Sequence, residues 1–188
     1  MAEESVLGIE LSIIIPILNE CGSLQELQGQ LTRILTEVGR PYEIIYIDDG
    51  STDGSQKLCR EFAESNPHVI LVELRRHFGK APALQAGFQM ARGEIIITMD
   101  GDLQDDAKEI PAFLEALEDD LDLVSGWKRD RQDPLSKTLP SRLFNFVTSQ
   151  LTGIPLRDFN CGFKAYRREV VENLDLYLPI RYSNLPKA

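Results

Sequence analysis

Acidic side chains follow two of the most apolar runs in this sequence, in a pattern that could bind a metal ion. Asp100 and Asp102 flank Gly101 directly after one β-branched run, and Asp48 and Asp49 follow another. The glycine allows a tight turn between two carboxylates, and carboxylates together with substrate phosphates are usual ligands of Mg²⁺ and Mn²⁺. The spacing predicts a divalent-cation site at Asp100 and Asp102. A polar turn whose aspartates cap the next helix is the alternative.

Basic residues after the third apolar run supply the opposite charge. Arg75, Arg76, His77 and Lys80 lie there, and cations at this point would complement a diphosphate. The lysine is not part of a phosphate-binding P-loop, because Ala81 stands where that motif needs a metal-binding hydroxyl. A solvated basic loop is the alternative interpretation, since surface charges usually contribute little.

The elements that must position these groups alternate between strands and helices. Short apolar runs rich in β-branched residues predict strands, and the segments between them carry helix signals. This alternation predicts a three-layer α/β fold with a mainly parallel sheet, whose ligands bind outside the carboxyl ends of the strands. The predicted strands are residues 11–16, 43–47, 69–74, 94–99 and 121–126.

Capping residues predict where the helices start. Ser23 and Glu26 match a capping box that opens the first helix, and Asp53 is a candidate N-cap for the second. Residues 139–151 predict an amphipathic helix after the last strand. Its apolar face is expected to pack on the sheet or against a dimer partner, with a membrane surface as the alternative.

Composition restricts the class of protein. The chain has 188 residues, of which 43% are hydrophobic and 27% charged, and a formal net charge of −10. These values indicate one globular domain and disfavour nucleic acid as a partner. Three widely spaced cysteines suit a reducing compartment rather than a disulfide framework or a zinc site. No apolar run approaches the about 18 residues that span a bilayer, and residues 1–10 do not form a signal peptide. We therefore expect a cytoplasmic domain.

Four motifs, in order along the chain, carry a resemblance to a known family. They are Ile-Pro-Ile-Leu-Asn-Glu at 15–20, Ile-Asp-Asp-Gly-Ser-Thr-Asp at 47–53, Met-Asp-Gly-Asp-Leu-Gln-Asp at 99–105 and Asn-Cys-Gly-Phe at 160–163. Over residues 10–177 the sequence resembles glycosyltransferase family 2, and within it the polyprenyl-phosphate (dolichyl-phosphate) sugar transferases. The resemblance implies the GT-A fold, a Rossmann-like three-layer sandwich around a mainly parallel sheet.

The resemblance implies a metal site and a nucleotide site. Asp100, Asp102 and Gln104 would hold Mg²⁺ or Mn²⁺ on the diphosphate of a sugar nucleotide, with Gly101 beside it. The residues lining the nucleotide would be Pro16, Leu18, Asn19, Glu20, Ile47, Asp48 and Asp49, where Leu18 replaces a tyrosine common in the family. We expect Asp49→Ala to weaken nucleotide binding and to leave the fold intact, because it relieves repulsion among acids.

The implied reaction moves one sugar from a UDP- or GDP-linked donor to a polyprenyl phosphate, with inversion, in cell-envelope glycan biosynthesis. Asp102 and Asp158 would serve in catalysis, and Gly162–Phe163 matches the segment near the acceptor and the donor sugar. The lipid acceptor implies a protein at the inner face of the membrane. The acceptor phosphate would be received by the catalytic cations Lys128, Arg131 and Arg142.

The end of the chain departs from the family pattern. Relatives usually continue after a segment like 174–177 with a Gly-Glu-Leu-His-Arg-type motif, which residues 178–183 replace here. We expect residues 1–188 to form a single GT-A catalytic domain that is truncated at its C-terminus. The alternative is a non-catalytic, incomplete fragment that binds a nucleotide sugar, and metal-dependent hydrolysis of the sugar nucleotide would distinguish the two.

Overall fold

The computed structural model describes residues 8–118, 121–126 and 161–172, and its framework is one mixed sheet. The strands are β1 (Leu11–Ile17), β2 (Tyr42–Asp48), β3 (Val69–Glu73), β4 (Ile95–Thr98), β5 (Leu123–Ser125) and β6 (Lys164–Arg167). They lie in the order β3-β2-β1-β4-β6-β5. The neighbours from β3 to β4 are all parallel, which confirms the predicted mainly parallel sheet.

Helices connect the strands and cover both faces of the sheet. They are α1 (Cys21–Val38), α2 (Ser55–Ser65), α3 (Lys80–Met90), α4 (Ile110–Glu118) and α5 (Arg168–Glu172), with a short 3-10 turn over Ala107–Glu109. Within the described ranges, no helix is both long and apolar enough to cross a membrane.

The core lies on both faces of β1 and β2. Ile13 and Ile15 pack in the cluster under α1, α2 and α4, whereas Ile14 packs in the cluster under α3. Both sets of alternate residues therefore meet apolar side chains, which explains why the strand sequence is continuously apolar. Helix α3 approaches β1 at Gly87, where a Cβ would collide with Ile14.

Strand β6 is an element that the sequence analysis missed. It runs antiparallel between β4 and β5 and pairs Lys164 with Thr98. It is four residues long and reads Lys-Ala-Tyr-Arg, so it has no continuous apolar run to reveal it. Because β6 is antiparallel to β4, the residues just before it, Cys161 to Phe163, lie at the carboxyl end of β4.

The start of α1 corrects the capping-box prediction. The helix begins at Cys21, with Glu20 as its N-cap residue, three residues before the predicted N-cap Ser23. Ser23 instead lies in the first turn, where its hydroxyl donates to the carbonyl oxygens of Glu20 at 2.9 Å and Gly101 at 2.6 Å. The earlier start is possible because Asp53 accepts a hydrogen bond from the Cys21 amide.

Several sequence predictions concern parts of the chain outside the described residues. The amphipathic helix over 139–151 is one of them. The same holds for four predicted site residues, Lys128, Arg131, Arg142 and Asp158.

Candidate nucleotide and metal site

Acidic side chains meet at the carboxyl edge of the sheet. Glu20 follows β1, and Asp100 and Asp102 follow β4. The pKa of Glu20 is raised, first by burial of its carboxyl and then by the negative charges of Asp102, Asp100 and Asp53. Gly101 lies close to this cluster, since a Cβ there would lie 3.2 Å from Ile17 Cγ2 and 3.5 Å from Glu20 Cγ. Carboxylates that repel one another in this way favour a cation between them.

The turn that carries Asp100 and Asp102 is held by hydrogen bonds within its own segment. Asp100 N donates to Asp105 Oδ2 at 3.0 Å, and Gln104 N donates to Asp102 Oδ1 at 3.0 Å. Leu103, between them, adopts a left-handed φ of 62°. The sequence analysis assigned no role to Asp105. Its burial, with 4% exposed, makes it the internal anchor of the turn.

A lysine reaches the first of these aspartates. Lys80 is the first residue of α3, and its Nζ donates to Asp100 Oδ1. The backbone of Gly162 lies against the pair, since a Cβ there would lie 2.8 Å from Asp100 Oδ2 and 2.9 Å from Lys80 Nζ. Thr98 Oγ1 donates to the Gly162 carbonyl at 2.8 Å and holds this segment in place. The fold therefore brings together predicted site residues from two of the motifs and from the basic segment that contains Lys80.

The loop before α3 is attached to the end of β2 by Asp49. Its carboxylate accepts hydrogen bonds from Phe78 N at 2.7 Å and Gly79 N at 2.8 Å, and His77 Nδ1 lies 2.7 Å from Oδ2. Gly50 has a φ of +84°, and a Cβ there would lie 2.8 Å from His77 N. Only glycine combines that backbone conformation with so close an approach. Residues 77–79 are therefore fixed between the end of β2 and the start of α3.

Asp48 points in a different direction from Asp49. Its Oδ1 accepts a hydrogen bond from Ser51 N at 3.1 Å, and its Oδ2 accepts one from Gln56 Nε2 at 3.3 Å. Both aspartates are buried, and both carboxylates have partners within the protein. Contacts between these aspartates and a base or ribose stay predictions.

Three backbone N–H groups at the junction of β1 and α1, of which only that of Cys21 belongs to the helix, are used within the protein. They donate to side chains in the loop after β2 and at the first residue of α2. The pairs are Asn19 with Ser51, Glu20 with Ser55 and Cys21 with Asp53, at 3.0, 2.9 and 3.0 Å. Helix N-termini often bind phosphate through such amides. The Cys21 amide, the first of α1, is already bonded to Asp53.

Asp53 joins the first turns of two helices. Its Oδ2 accepts from Cys21 N in α1, and its Oδ1 accepts from both the amide and the hydroxyl of Ser55 in α2, at 3.0 and 2.6 Å. The Ser55 hydroxyl is the main reason that the pKa of Asp53 is lowered. The N-cap residue of α2 is Gly54, so the predicted N-cap was wrong by one residue, although the Asp53 carboxylate does bind the α2 amide.

The remaining predicted nucleotide contacts differ in exposure. Leu18 is 37% exposed, and only one other large hydrophobic side chain in the described part of the chain, Leu121, is as exposed. Pro16 is partly buried, whereas Ile47 is fully buried inside the sheet. Asn19 has a left-handed φ of 60°, and its Oδ1 accepts from Thr52 N at 2.8 Å. Of this group, Leu18 offers an exposed apolar surface to a ligand.

The donor set at this edge fits a hard divalent cation that a ligand completes. Asp100 and Asp102 offer carboxylate oxygens, and Mg²⁺ and Mn²⁺ are often held by one or two carboxylates together with phosphate oxygens. Among the described residues, no group of three or more His, Cys, Asp or Glu side chains is arranged to bind a metal ion alone. Gln104 is exposed beside the turn, and its role as a metal ligand stays a prediction.

Comparison with known families agrees with this geometry. The family model described as Glycosyl transferase family 2 matches residues 12–175. The chain belongs to glycosyltransferase family 2. All four motifs that carried the resemblance lie within the matched residues, so the expected family is confirmed.

Curated relatives in this family bear the names of polyprenyl-phosphate sugar enzymes. A dodecaprenyl-phosphate galacturonate synthase of Rhizobium johnstonii is 38% identical over 176 residues, which cover 92% of this chain and 52% of the relative. An undecaprenyl-phosphate 4-deoxy-4-formamido-L-arabinose transferase of Pseudomonas aeruginosa is 39% identical over 163 residues, covering 86% of this chain and 48% of the relative. The chain thus spans about half the length of these relatives.

Solved structures of glycosyltransferases share the fold. A mannosyltransferase of Pyrobaculum calidifontis, in complex with GDP-Man and Mn²⁺, matches with a TM-score of 0.63 and 26% identity, over 88% of this chain and 46% of that one. Glucosyl-3-phosphoglycerate synthase of Mycobacterium tuberculosis, in complex with Mn²⁺, UDP and phosphoglyceric acid, matches with a TM-score of 0.68 and 19% identity, over 86% and 57%. The expected GT-A fold is therefore confirmed.

Proposed function

We propose that this chain transfers a sugar from a UDP- or GDP-linked donor to a polyprenyl phosphate, with inversion at the anomeric carbon and with the help of Mg²⁺ or Mn²⁺. The observation that carries the proposal is the turn from Asp100 to Asp102 at the carboxyl end of β4, with Glu20 and Lys80 beside it. The names of the relatives support the acceptor class. GDP-Man, UDP and Mn²⁺ in the structural neighbours support the donor and the metal.

The donor diphosphate is assigned to the Asp100–Lys80 side of the site. A divalent cation held by Asp100 and Asp102 would neutralise the charge that develops on the leaving diphosphate. Lys80 Nζ lies against Asp100, so its ammonium can donate to the same phosphate oxygens. We assign charge stabilisation of the leaving group to Lys80, whose ammonium lies beside the carboxylate assigned to the metal.

The acceptor needs no strong general base, because a lipid phosphate is already anionic near neutral pH. One of its oxygens would bond to the anomeric carbon while the bond from that carbon to the diphosphate breaks, and the bonding electrons would leave with the nucleoside diphosphate. Attack from the face opposite the leaving group inverts that carbon. The protein then contributes positioning and electrostatic stabilisation.

Residues near the acceptor are assigned on the family pattern. Gly162 supports this assignment, because its backbone lies against Asp100 and Lys80 and so beside the donor diphosphate. We further propose that residues 1–188 act as one GT-A catalytic domain at a membrane surface, since the acceptor is a lipid. The acceptor side would comprise Lys128, Arg131, Arg142, Asp158 and Gly162–Phe163.

A transfer assay tests the proposal. Purified protein is given labelled UDP- and GDP-sugars, undecaprenyl phosphate in detergent and Mn²⁺ or Mg²⁺, and the labelled lipid is extracted and identified by mass spectrometry. We expect transfer to require the metal and Asp102→Asn to lower its rate by about 100-fold or more. Asp122→Asn, at an exposed position before β5 on the opposite edge of the sheet, is the matched control and should transfer at the wild-type rate.

Two outcomes would contradict the proposal in different ways. Equal transfer with metal and with chelator would remove the metal from the mechanism. Metal-dependent binding of UDP or GDP without hydrolysis or transfer would identify a domain that binds nucleotide sugars and does not catalyse.

A further inference from the structure

The pairing of Lys80 with Asp100 bears on how a metal ion enters the site. Lys80 Nζ donates to Asp100 Oδ1, and Asp100 is also one of the two aspartates assigned to the metal. The side chains of Lys80 and Asp100 keep 50% and 27% of their exposure, so ions from solvent can reach both. The lysine ammonium and a divalent cation would therefore compete for one carboxylate.

The position of Lys80 is set by the fold. The loop of residues 77–79 that precedes it is held by three hydrogen bonds to Asp49. A Cβ at Gly162 would lie 2.9 Å from Lys80 Nζ and 2.8 Å from Asp100 Oδ2, so this backbone lies directly beside the pair. An ordinary surface lysine lacks this support. The arrangement directs the ammonium at Asp100.

We propose that Lys80 is a counter-ion that couples metal binding to nucleotide binding. In the free protein its ammonium neutralises Asp100 and opposes entry of a divalent cation. A bound diphosphate offers the ammonium a stronger partner, so that Lys80 moves from Asp100 to the phosphates and leaves the carboxylate to the metal. This inference rests on the proposed function, because it assumes that the ligand is a nucleoside diphosphate.

The neighbouring carboxylates explain what such a counter-ion achieves. Glu20 lies close enough to Asp100 and Asp102 to feel both of their negative charges, and a cluster of this kind attracts cations without any nucleotide. With Lys80 in place, the cluster carries one compensating charge until the diphosphate arrives. Coupling between two ligands is reciprocal, so the nucleotide raises metal affinity by the same factor by which the metal raises nucleotide affinity.

A lysine that only binds diphosphate would behave differently from a counter-ion. Its removal would weaken nucleotide binding and leave the affinity for metal alone unchanged. Removal of a counter-ion makes the metal alone bind more tightly, because the competitor for Asp100 has gone. The affinity for metal without nucleotide therefore decides between the two roles, and it is measured without any catalytic turnover.

The experiment titrates Mn²⁺ into the full chain with and without saturating UDP or GDP, with free Mn²⁺ followed by electron paramagnetic resonance. We expect Lys80→Met to bind Mn²⁺ alone about two- to fivefold more tightly than wild type, the range that a partly exposed ion pair supports, and to show a smaller gain on addition of nucleotide. Lys80→Arg keeps the charge and should behave like wild type. Lys57→Met, at an 83% exposed side chain on α2 that pairs with Glu61, controls for the change in net charge and should bind Mn²⁺ like wild type.

The inference is overturned if Lys80→Met binds Mn²⁺ alone no more tightly than wild type does. It is also overturned if Lys57→Met gains as much affinity for Mn²⁺ alone as Lys80→Met does. Suppose that wild type transfers sugar and binds Mn²⁺ with nucleotide, but Lys80→Met has no higher affinity than wild type for Mn²⁺ alone. The counter-ion role then fails and the proposed function stands. If wild type binds neither nucleotide nor Mn²⁺ and transfers nothing, the proposed function fails and this inference fails with it. Urea unfolding of each variant establishes that all of them are folded.

Discussion

Gly162 lies directly against the carboxylate of Asp100: a Cβ on this glycine would lie 2.8 Å from Oδ2 and 2.9 Å from Oδ1. The contact exists because β6 pairs antiparallel with β4, with Lys164 opposite Thr98. The residues before β6 therefore meet the residues after β4. One motif supplies the carboxylate, and the backbone of another forms the wall beside it.

We expect Gly162→Ala to disturb the Asp100–Lys80 pair. An added methyl group must displace the flexible ends of Asp100 and Lys80, which costs the fold little but moves the carboxylate assigned to the metal, so calorimetry should show metal-dependent binding of UDP or GDP weakened by about two- to fivefold. Gly29→Ala is the matched control, because Gly29 lies in the interior of α1 with nothing within 4 Å of an added Cβ. That variant should bind normally and gain about 0.5–1 kcal/mol in free energy of unfolding. Normal binding by Gly162→Ala would show that nucleotide and metal binding do not require the close approach of the Gly162 backbone to Asp100 and Lys80.

Glu20→Gln should stabilise the free protein at neutral pH. Burial and the neighbouring carboxylates raise the pKa of Glu20 above its ordinary value of 4.5 in the folded state, so above that pH the unfolded chain releases this proton more readily. The free energy of unfolding then falls as pH rises from 4.5 through the raised pKa. Glu20→Gln has no carboxyl to ionise at this position, so its free energy of unfolding does not fall for this reason. Because the carboxyl is only partly buried, we expect a gain of a few tenths to about 1 kcal/mol.

Urea unfolding of Glu20→Gln between pH 4 and pH 8, without divalent cations, checks this prediction. The gain should vanish near pH 4 and reach its full size at neutral pH. Glu115→Gln, at an exposed position in α4, provides the control for loss of one negative charge. A gain that is the same at every pH would mean that repulsion within the site is not its cause.

The hydrogen bonds of Asp49 change the expected effect of Asp49→Ala. The sequence analysis expected an intact fold and weaker nucleotide binding, but the carboxylate holds Phe78 N, Gly79 N and His77 Nδ1. Loss of an acceptor for partly buried amides costs about 1–3 kcal/mol, so we now expect a lower free energy of unfolding together with weaker nucleotide binding. Urea unfolding measures the first effect and calorimetry the second. Asp122→Ala is the control, and an unchanged midpoint for Asp49→Ala would return the residue to a purely ligand-binding role.

Glu43 should matter for stability and not for the site. It is 1% exposed, accepts from Ser12 Oγ at 2.7 Å and pairs with Arg92 at 2.6 Å. We expect Glu43→Gln to lower the free energy of unfolding by about 1–3 kcal/mol, because the buried acceptor of Ser12 Oγ loses its charge, whereas the Arg92 side chain is 62% exposed and can turn to solvent. Glu73→Gln breaks a more exposed pair with Arg60 and should cost less than about 1 kcal/mol. If both variants lose the same free energy of unfolding, burial of the carboxylate does not decide how much each residue stabilises the fold.

The sequence by itself determined the strands β1 to β4, the helices between them and the position of the acidic motifs at strand ends. This was possible because burial on both faces demands continuous apolar residues, as in Ile13, Ile14 and Ile15, and such runs are visible without a structure. The Asp100–Gly101–Asp102 turn follows directly from its place after β4. The chemistry of hard oxygen ligands then follows from residue type alone.

Only the tertiary structure decided which side chains meet. Lys80 pairs with Asp100, Asp49 holds the loop that precedes Lys80, and Gly162 covers the pair. Each contact joins residues far apart in the chain, and it depends on the crossovers and on the antiparallel β6, which four alternating residues could not reveal. Local periodicity reports whether a side chain is buried. Its partner is set by the three-dimensional path of the backbone.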